Sequence, residues 1–388
     1  MNSTHSKKRS DKKDPYFANF QQPLSTNELK RLANKGPIVS FNVSHIRSDA
    51  FVVTQTGITP VSLPDLKEED LNNAKLFLEK PIVIHGSLNT KNARNRSMLR
   101  ILKWLWDVAV HPVIEALDIH QSPNGRKLPC IWWTSSGLMA LMPIHAAGDH
   151  TSDGTPNLLD FAIPSYTTIL GALAYARETI CKPLRGTDYR FAFIASPNKA
   201  KKERELKVEE SARELNDLVQ QHCKTRLLIG PTKSETLEVL EACNAMFFGC
   251  HGQSMSTQPC ESYLKLGADA DSHLMIQEIQ GSRHRDAQFA YLSACSTANL
   301  SVRHLVDGVV HIAGAFSLLG FLPVVGTFWE AKDIKARVVA KRFYEELMLQ
   351  DCEDEDCVAR AYHTAVMEMR GSKIQDPLAW ATFAHLGA

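Results

Sequence analysis

The chain has 388 residues, 44% of them hydrophobic and 22% charged, which is the composition of a soluble globular protein with a sizeable core. Its 44 basic and 43 acidic residues leave a formal net charge of +1, so no global field draws it to nucleic acid or to an anionic membrane. Nine cysteines in no tight framework fit a reducing compartment better than a disulfide-stapled secreted domain, and neither a signal peptide nor an 18-residue apolar run is present. The expected setting is the cytoplasm, with the nucleus as the alternative.

The first 22 residues are polar and carry Lys7, Lys8, Arg9, Lys12 and Lys13, with too little apolar material to offset the entropy of ordering. A basic tail over residues 1–27 is expected, followed by an accessory segment over 28–125 packed on a main domain over 126–388. PIVSFNVS and DAFVVTQTGIT are short β-branched runs separated by turn residues and read as a strand pair. A helical stretch follows from about Pro64 to Leu117, with Leu99, Leu102, Leu105 and Trp106 at core-facing spacing. CIWWTSSGLMALMPIHAAG reads as a hairpin or a strand with a tight return. After Asp188 strands and amphipathic helices alternate: RFAFIAS, LKVEESARELNDLVQQH, TRLLIG, SETLEVLEAC, AMFFGCHG, QFAYLSACS, DGVVHIAGAFSLLG and PVVGTFWE, then a helix from Asp333 to Leu349. That order is the signature of an α/β fold, a mainly parallel sheet with helices on both faces.

In open α/β sheets, sites form beyond the carboxyl ends of strands, where loops converge. Two apolar strands here end in chemically capable residues: one in Gly249-Cys250-His251-Gly252, the other in Ala294-Cys295-Ser296. If those strands are neighbours, an imidazole and a thiol leave the same sheet edge. A cysteine nucleophile needs its thiolate, which a nearby histidine supplies, so His251 is the candidate base and Cys295 the candidate nucleophile. The backbone N–H groups of Gly252 and Cys295 are candidate donors to a tetrahedral oxyanion. The competing reading is bland: Cys is often a small core hydrophobe, and a strand-end His often makes a structural hydrogen bond. His251 precedes Cys295 by 44 residues, close to the His-to-Cys separation of about 50 in caspases, although the residues around Cys295 are not the caspase pentapeptide.

Five blocks in order then resemble the CHAT-domain family of caspase-like cysteine peptidases, which often follow tetratricopeptide repeats. They are PCIWWTSSGLMALMPIHAAG, FFGCHGQS, AYLSACSTA, GAFSLLGFLPVVGTFW and DPLAWATFAHLG, spanning Pro129 to Gly387, with a lead-in at Gly36 to Val53 similar to fungal members. The resemblance implies a caspase-hemoglobinase-like sheet and a catalytic dyad carried onto His251 and Cys295. It also implies that the strand after the Cys-bearing helix lines the specificity pocket, where Glu330 and Asp333 are candidate partners for a basic substrate side chain. The repeat array of many relatives is not in this sequence.

The expected activity is therefore hydrolysis of protein or peptide substrates by a cysteine endopeptidase, with a regulatory protein partner or oligomer controlling it and no metal or organic cofactor. The alternative is a catalytically silent interaction module on the same fold. Cys243, Cys250 and Cys260 lack the C-x2-C spacing of structural zinc, and no EF-hand-type loop marks a calcium site. Ser196 to Lys199 matches S-x-x-K but reads as a turn, and Asp149 and Asp153 read as solvated loop acids.

Overall fold

The structure is a computed structural model, and it describes residues 23–79, 88–121, 127–152, 154–167, 170–178, 186–196, 207–253, 261–267, 269–280, 286–293, 308–329, 331–349 and 356–387. In chain order the strands are β1 (Ile38–Val43), β2 (Ser48–Val53), β3 (Ile58–Ser62), β4 (Cys130–Ser135), β5 (Ile163–Tyr166), β6 (Gly186–Ala195) and β7 (Cys223–Ile229). They continue with β8 (Ala245–Gly249), β9 (His251–Gln253), β10 (Tyr263–Lys265), β11 (His273–Met275), β12 (Phe289–Leu292), β13 (Val324–Thr327) and β14 (Phe383–Leu386). The helices are α1 (Thr26–Leu32), α2 (Glu68–Leu78), α3 (Leu88–Leu105), α4 (His111–Ala116), α5 (Leu170–Glu178) and α6 (Val208–Val219). After these come α7 (Lys233–Ala242), α8 (Ile276–Gln280), α9 (Gly308–Leu318), α10 (Asp333–Leu349), α11 (Cys357–Ser372) and α12 (Pro377–Trp380).

Among the described residues, eleven strands form one sheet in the order β3-β2-β1-β4-β5-β14-β13-β12-β8-β6-β7, and β11-β10-β9 form a small second one. β1, β4 and β5 are parallel neighbours, as are β13, β12, β8, β6 and β7. β14 joins the two runs, antiparallel to β13 over four pairs and meeting β5 at the single pair Leu386 and Tyr166.

Period-two side-chain alternation divides the core. Along β4, Ile131 and Trp133 enter the larger cluster, while Cys130 and Trp132 face the smaller one with Ile38, Val53 and Ile163. In the β13–β7 run, Phe191, Phe193, Phe247, Phe289 and Tyr291 pack around Tyr344 of α10, whereas Phe248 meets Phe316 of α9 on the opposite face. α6 lies beside α10 because Val208, Ala212, Leu215 and Val219 form one buried stripe; Arg337 and Lys341 of α10 pair with its Glu214 at 2.9 and 2.6 Å.

Several expectations are met and two need correction. The strand pair at 37–59 is β1 and β2, and the helix at Asp333 to Leu349 is α10 with those bounds. CIWWTSSGLMALMPIHAAG, by contrast, does not return as a hairpin. Gly137 turns the chain at φ +60°, and two 3-10 turns carry Met139, Leu141 and Ile144 into the core instead. Leu102, Leu105 and Trp106 are buried as expected, while Leu99 is half-buried. α1 spans Thr26–Leu32, and β1–β3, which precede residue 126, are part of the eleven-stranded sheet.

Candidate functional site

The candidate edge is assembled by parallel neighbours. β8 and β12 pair with Phe247 opposite Tyr291 and Phe248 opposite Leu292, and β6 flanks β8 on its other side. The strands that lead to His251 and to Cys295 are therefore adjacent, and both leave the sheet at the same edge. His251 follows Phe248 by three residues, as Cys295 follows Leu292 in the sequence. Cys295 and its N–H lie outside the described residues, as do Ala294 and Ser296.

Asn244 fixes the opposite, amino edge. Its side-chain carbonyl accepts the Arg190 N–H at 2.9 Å, its amide donates to the Asp286 carbonyl at 2.9 Å, and its own carbonyl accepts the Gln288 N–H at 2.7 Å. One buried residue thus holds β6, where its pairing with β8 begins, in line with the starts of β8 and β12. At the carboxyl edge, the Ser196 N–H donates to the Gly249 carbonyl at 2.8 Å and its hydroxyl donates to the Leu266 carbonyl, tying the ends of β6 and β8 to β10. Gly249 is needed for contact: a Cβ there would stand 3.1 Å from Val208 of α6 and 3.0 Å from the Phe247 ring.

The backbone then turns from β8 through buried Cys250 into β9, the edge strand of the small antiparallel sheet. Its hydrogen-bond phase follows from two bonds outside the strands: Leu266 N–H to Ser272 O at 3.1 Å, and Ile276 N–H to Ser262 O at 2.9 Å. These make the even-numbered residues of β10 the bonded partners of β11, so Tyr263 and Lys265 turn their peptide groups to β9. His251 and Gln253 are then the bonded residues of β9. Gly252, opposite Leu264 in a non-bonded pair, points its N–H away from β10 and out of the ladder.

Side chains sort in the same way. Gly252, Leu264 and Leu274 form the buried face, and His251, Lys265 and His273 form one half-buried row across the other. Tyr263 stacks on His273 with ring centroids 4.0 Å apart. Lys265 and His273 were not among the residues expected from sequence, because YLK and HLM are each too short to show a period.

Asp333, proposed for a basic substrate side chain, accepts the backbone N–H of Lys207 at 2.9 Å, just before α6. Its carboxylate thus joins the starts of α10 and α6; Glu330 lies outside the described residues. Beside them, Lys91 and Asn95 hold Asp376 at 3.0 Å each, and burial together with the Lys91 ammonium pulls the Lys332 pKa down. Of the remaining candidates, Cys243 and Cys250 are buried, Cys260, Asp153 and residues 197–199 lie outside the described residues, and Asp149 accepts the N–H and hydroxyl of Thr151. Among the described residues no group of three or more His, Cys, Asp or Glu is placed to hold a metal, and no helix is long and apolar enough to cross a membrane.

Comparison with solved structures identifies the architecture. Two structures of the separase–securin complex of Saccharomyces cerevisiae superpose with TM-scores of 0.63 and 0.62 at 11% identity, covering 93% of this chain. The chain spans 30% and 31% of those separase chains, so the likeness is one of fold. The Arg-specific cysteine proteinase gingipain R matches at 9% identity with a TM-score of 0.47, over 72% of this chain and 68% of its own. A complex of the pro- and mature domains of a Porphyromonas gingivalis proteinase matches at 9% identity and the same score, over 82% and 76%. No curated protein sequence matches. The sheet is of the caspase-like type, and the CHAT domain model matches residues 99–388, so this chain belongs to the CHAT domain family.

Proposed function

We propose that the chain is a caspase-like cysteine endopeptidase in which Cys295 attacks a scissile peptide carbonyl and His251 is the proton carrier. The observation that supports this reading is the parallel pairing of β8 with β12, whose carboxyl ends lie at one sheet edge and precede His251 and Cys295 in the sequence. In the proposed mechanism His251 takes the Cys295 thiol proton, and the thiolate adds to the carbonyl. The oxyanion accepts from the N–H of Gly252, which points out of its ladder, and from that of Cys295. His251 then protonates the leaving amine, and water releases the acyl group. Membership of the CHAT family supports the same assignment.

The catalytic unit is assigned to 126–388, with 28–125 as an accessory segment and 1–27 as a tail. Protein or peptide is the substrate class, and nothing in the assigned chemistry calls for nucleic acid or membrane. A basic side chain on the substrate remains the assignment for Glu330 and Asp333, although Asp333 shares its carboxylate with the Lys207 N–H. A regulatory protein partner is supported by the fold neighbour that was crystallised with securin. The cytoplasm is the assigned compartment, in keeping with the five free, buried cysteines among the described residues.

The test is a peptide library read by mass spectrometry, together with a thiol-reactive acyl probe. Cleavage and labelling by the wild type that fall at least 100-fold in Cys295→Ala and in His251→Ala establish the dyad. Intact peptides with an unlabelled Cys295 overturn it in favour of a silent interaction module.

A further inference from the structure

The eleven-stranded sheet ends on β7, and among the described residues no strand pairs with its outer edge. The phase of that edge follows from its last bond to β6, in which Gly230 donates its N–H to the Ala195 carbonyl at 2.8 Å. β6 and β7 are parallel and in continuous register from Arg190 opposite Lys224 to Ala195 opposite Ile229, so the even-numbered residues of β7 bond β6. Thr225, Leu227 and Ile229 therefore turn their N–H and carbonyl groups outward, where among the described residues they make no hydrogen bond. β7 carries neither a proline nor a bulge of its own; the register shift in this pair lies in β6, between Gly186 and Arg190.

The two faces of this edge differ in chemistry. Odd-numbered residues share the face of Phe191 and Phe193, so Thr225, Leu227 and Ile229 stand half-buried on the side of Tyr344. Even-numbered residues share the other face, where Lys224 and Arg226 are exposed. Arg226 pairs with Glu238 of α7 at 3.0 Å, whereas Lys224 makes no ion pair among the described residues and stands opposite a second cation, Arg190. Asp188 is exposed in the irregular stretch before Arg190, one strand further from the edge, and β7 has no acid of its own.

We propose that the outer edge of β7 is a docking site for an extended segment of a partner protein in which acidic and apolar residues alternate. Added as a new edge strand, such a segment pairs with the three outward N–H and three outward carbonyl groups and sends its side chains alternately to the two faces. Its carboxylates then lie beside Lys224 and Arg226 and its apolar side chains beside Leu227 and Ile229, cross-strand neighbours being about 5 Å apart. A second copy of this chain fits less well, because it brings another Lys224 and Arg226 to the same edge, and basic side chains there deter self-pairing. The charges that keep two copies apart select an acidic strand. The assignment does not depend on the peptidase reading, since none of these residues belongs to the dyad or to its oxyanion donors.

The experiment uses the full chain and a fluorescent peptide, Ser-Glu-Val-Glu-Val-Glu-Ser, beside a second peptide with Lys in place of each Glu. The acidic peptide is expected to bind about tenfold tighter than the basic one, and about 1 M KCl narrows the difference. In NMR-detected hydrogen exchange, the Thr225, Leu227 and Ile229 amides exchange freely in the chain alone while those of Arg226 and Leu228 are protected; saturating acidic peptide slows the first three. Thr225→Pro removes one outward donor without breaking a ladder bond and weakens binding about tenfold. Lys224→Glu, a change at an exposed position, reverses the preference between the two peptides. Equal binding of both peptides, no binding of the acidic one up to about 1 mM, or binding that leaves the three amides exchanging freely overturns the proposal. A chain that dimerises on its own with the same amides protected also overturns it, by giving the edge to a second copy.

Discussion

Single residues carry more of this architecture than their chemistry announces. Asn244 satisfies three backbone groups, one on β6 and two in the segment leading into β12, and loss of its side chain leaves the Arg190 N–H and the Asp286 carbonyl without that partner. Asn244→Ala is expected to cost about 2–4 kcal/mol, read as a lowered urea midpoint at unchanged m-value. Four buried histidines set the response to acid. Burial lowers the pKa of His145, His150 and His363 to about 4 and that of His385 to about 3. All four are neutral when folded, whereas in the unfolded chain they take up protons near pH 6.5. The unfolded state therefore binds more protons between pH 6.5 and 4, and stability falls as pH falls through that window, by about 1.4 kcal/mol per pH unit for each histidine. Urea midpoints measured at pH 7.5, 6 and 5 check this; a flat profile would remove it. Sequence made His251 legible because it follows an apolar strand at once. It did not reveal His145, held between the Tyr166 hydroxyl at 2.7 Å and the Ala381 carbonyl at 2.9 Å, because both partners are distant in the chain.

At the scale of elements, the two sheet edges are treated differently. The Thr54 N–H bonds the Gly57 carbonyl at 2.8 Å and the Leu63 N–H bonds the Ser48 carbonyl at 3.0 Å, so the odd-numbered residues of β3 face β2. Pro60 therefore faces outward with Ile58 and Ser62, and it removes the central one of the three N–H donors that would invite another strand on that edge. Pro60→Thr restores the donor beside exposed Ile58 and is expected to produce concentration-dependent self-association, measured by sedimentation velocity; a monodisperse variant at 100 µM would count against the edge-guard role. β3 itself was merged with β2 in the sequence reading because the turn at Gly57 interrupts one continuous β-branched run. α6 and α10 were legible because each has an apolar stripe at helical spacing. β9, β10 and β11 were not, since three residues are too few to show a period.

The whole molecule depends on how its two strand runs are joined. At the seam, Gly387 donates its N–H to the Tyr166 carbonyl at 2.9 Å, and its own carbonyl accepts from Trp132 Nε1 at 2.6 Å and from the Ser165 hydroxyl at 3.2 Å. His385 Nδ1 meets the same hydroxyl at 2.9 Å. The larger core runs through both flanks, from Phe41 and Trp133 to Phe247 and Tyr291. β4 and β8 are accordingly expected to open together in native-state hydrogen exchange, with Ala384→Asp, at the centre of β14, unprotecting both. Early exchange confined to β4 would show two independent halves. The parallel order of β6, β7, β8, β12 and β13 was visible from alternating strands and helices, but the place of β14 was not. Its four residues, FAHL, take their meaning from neighbours more than 50 residues away in β13 and more than 200 away in β5.

That placement has a consequence for how the protein is made. Among the described strands, the one at the middle of the sheet is the last to be synthesised. A growing chain already holding β5 and β13 carries two open, apolar strand edges that only residues 383–386 can close. Until those residues emerge from the ribosome, the nascent protein is exposed to pairing with its neighbours on the same message.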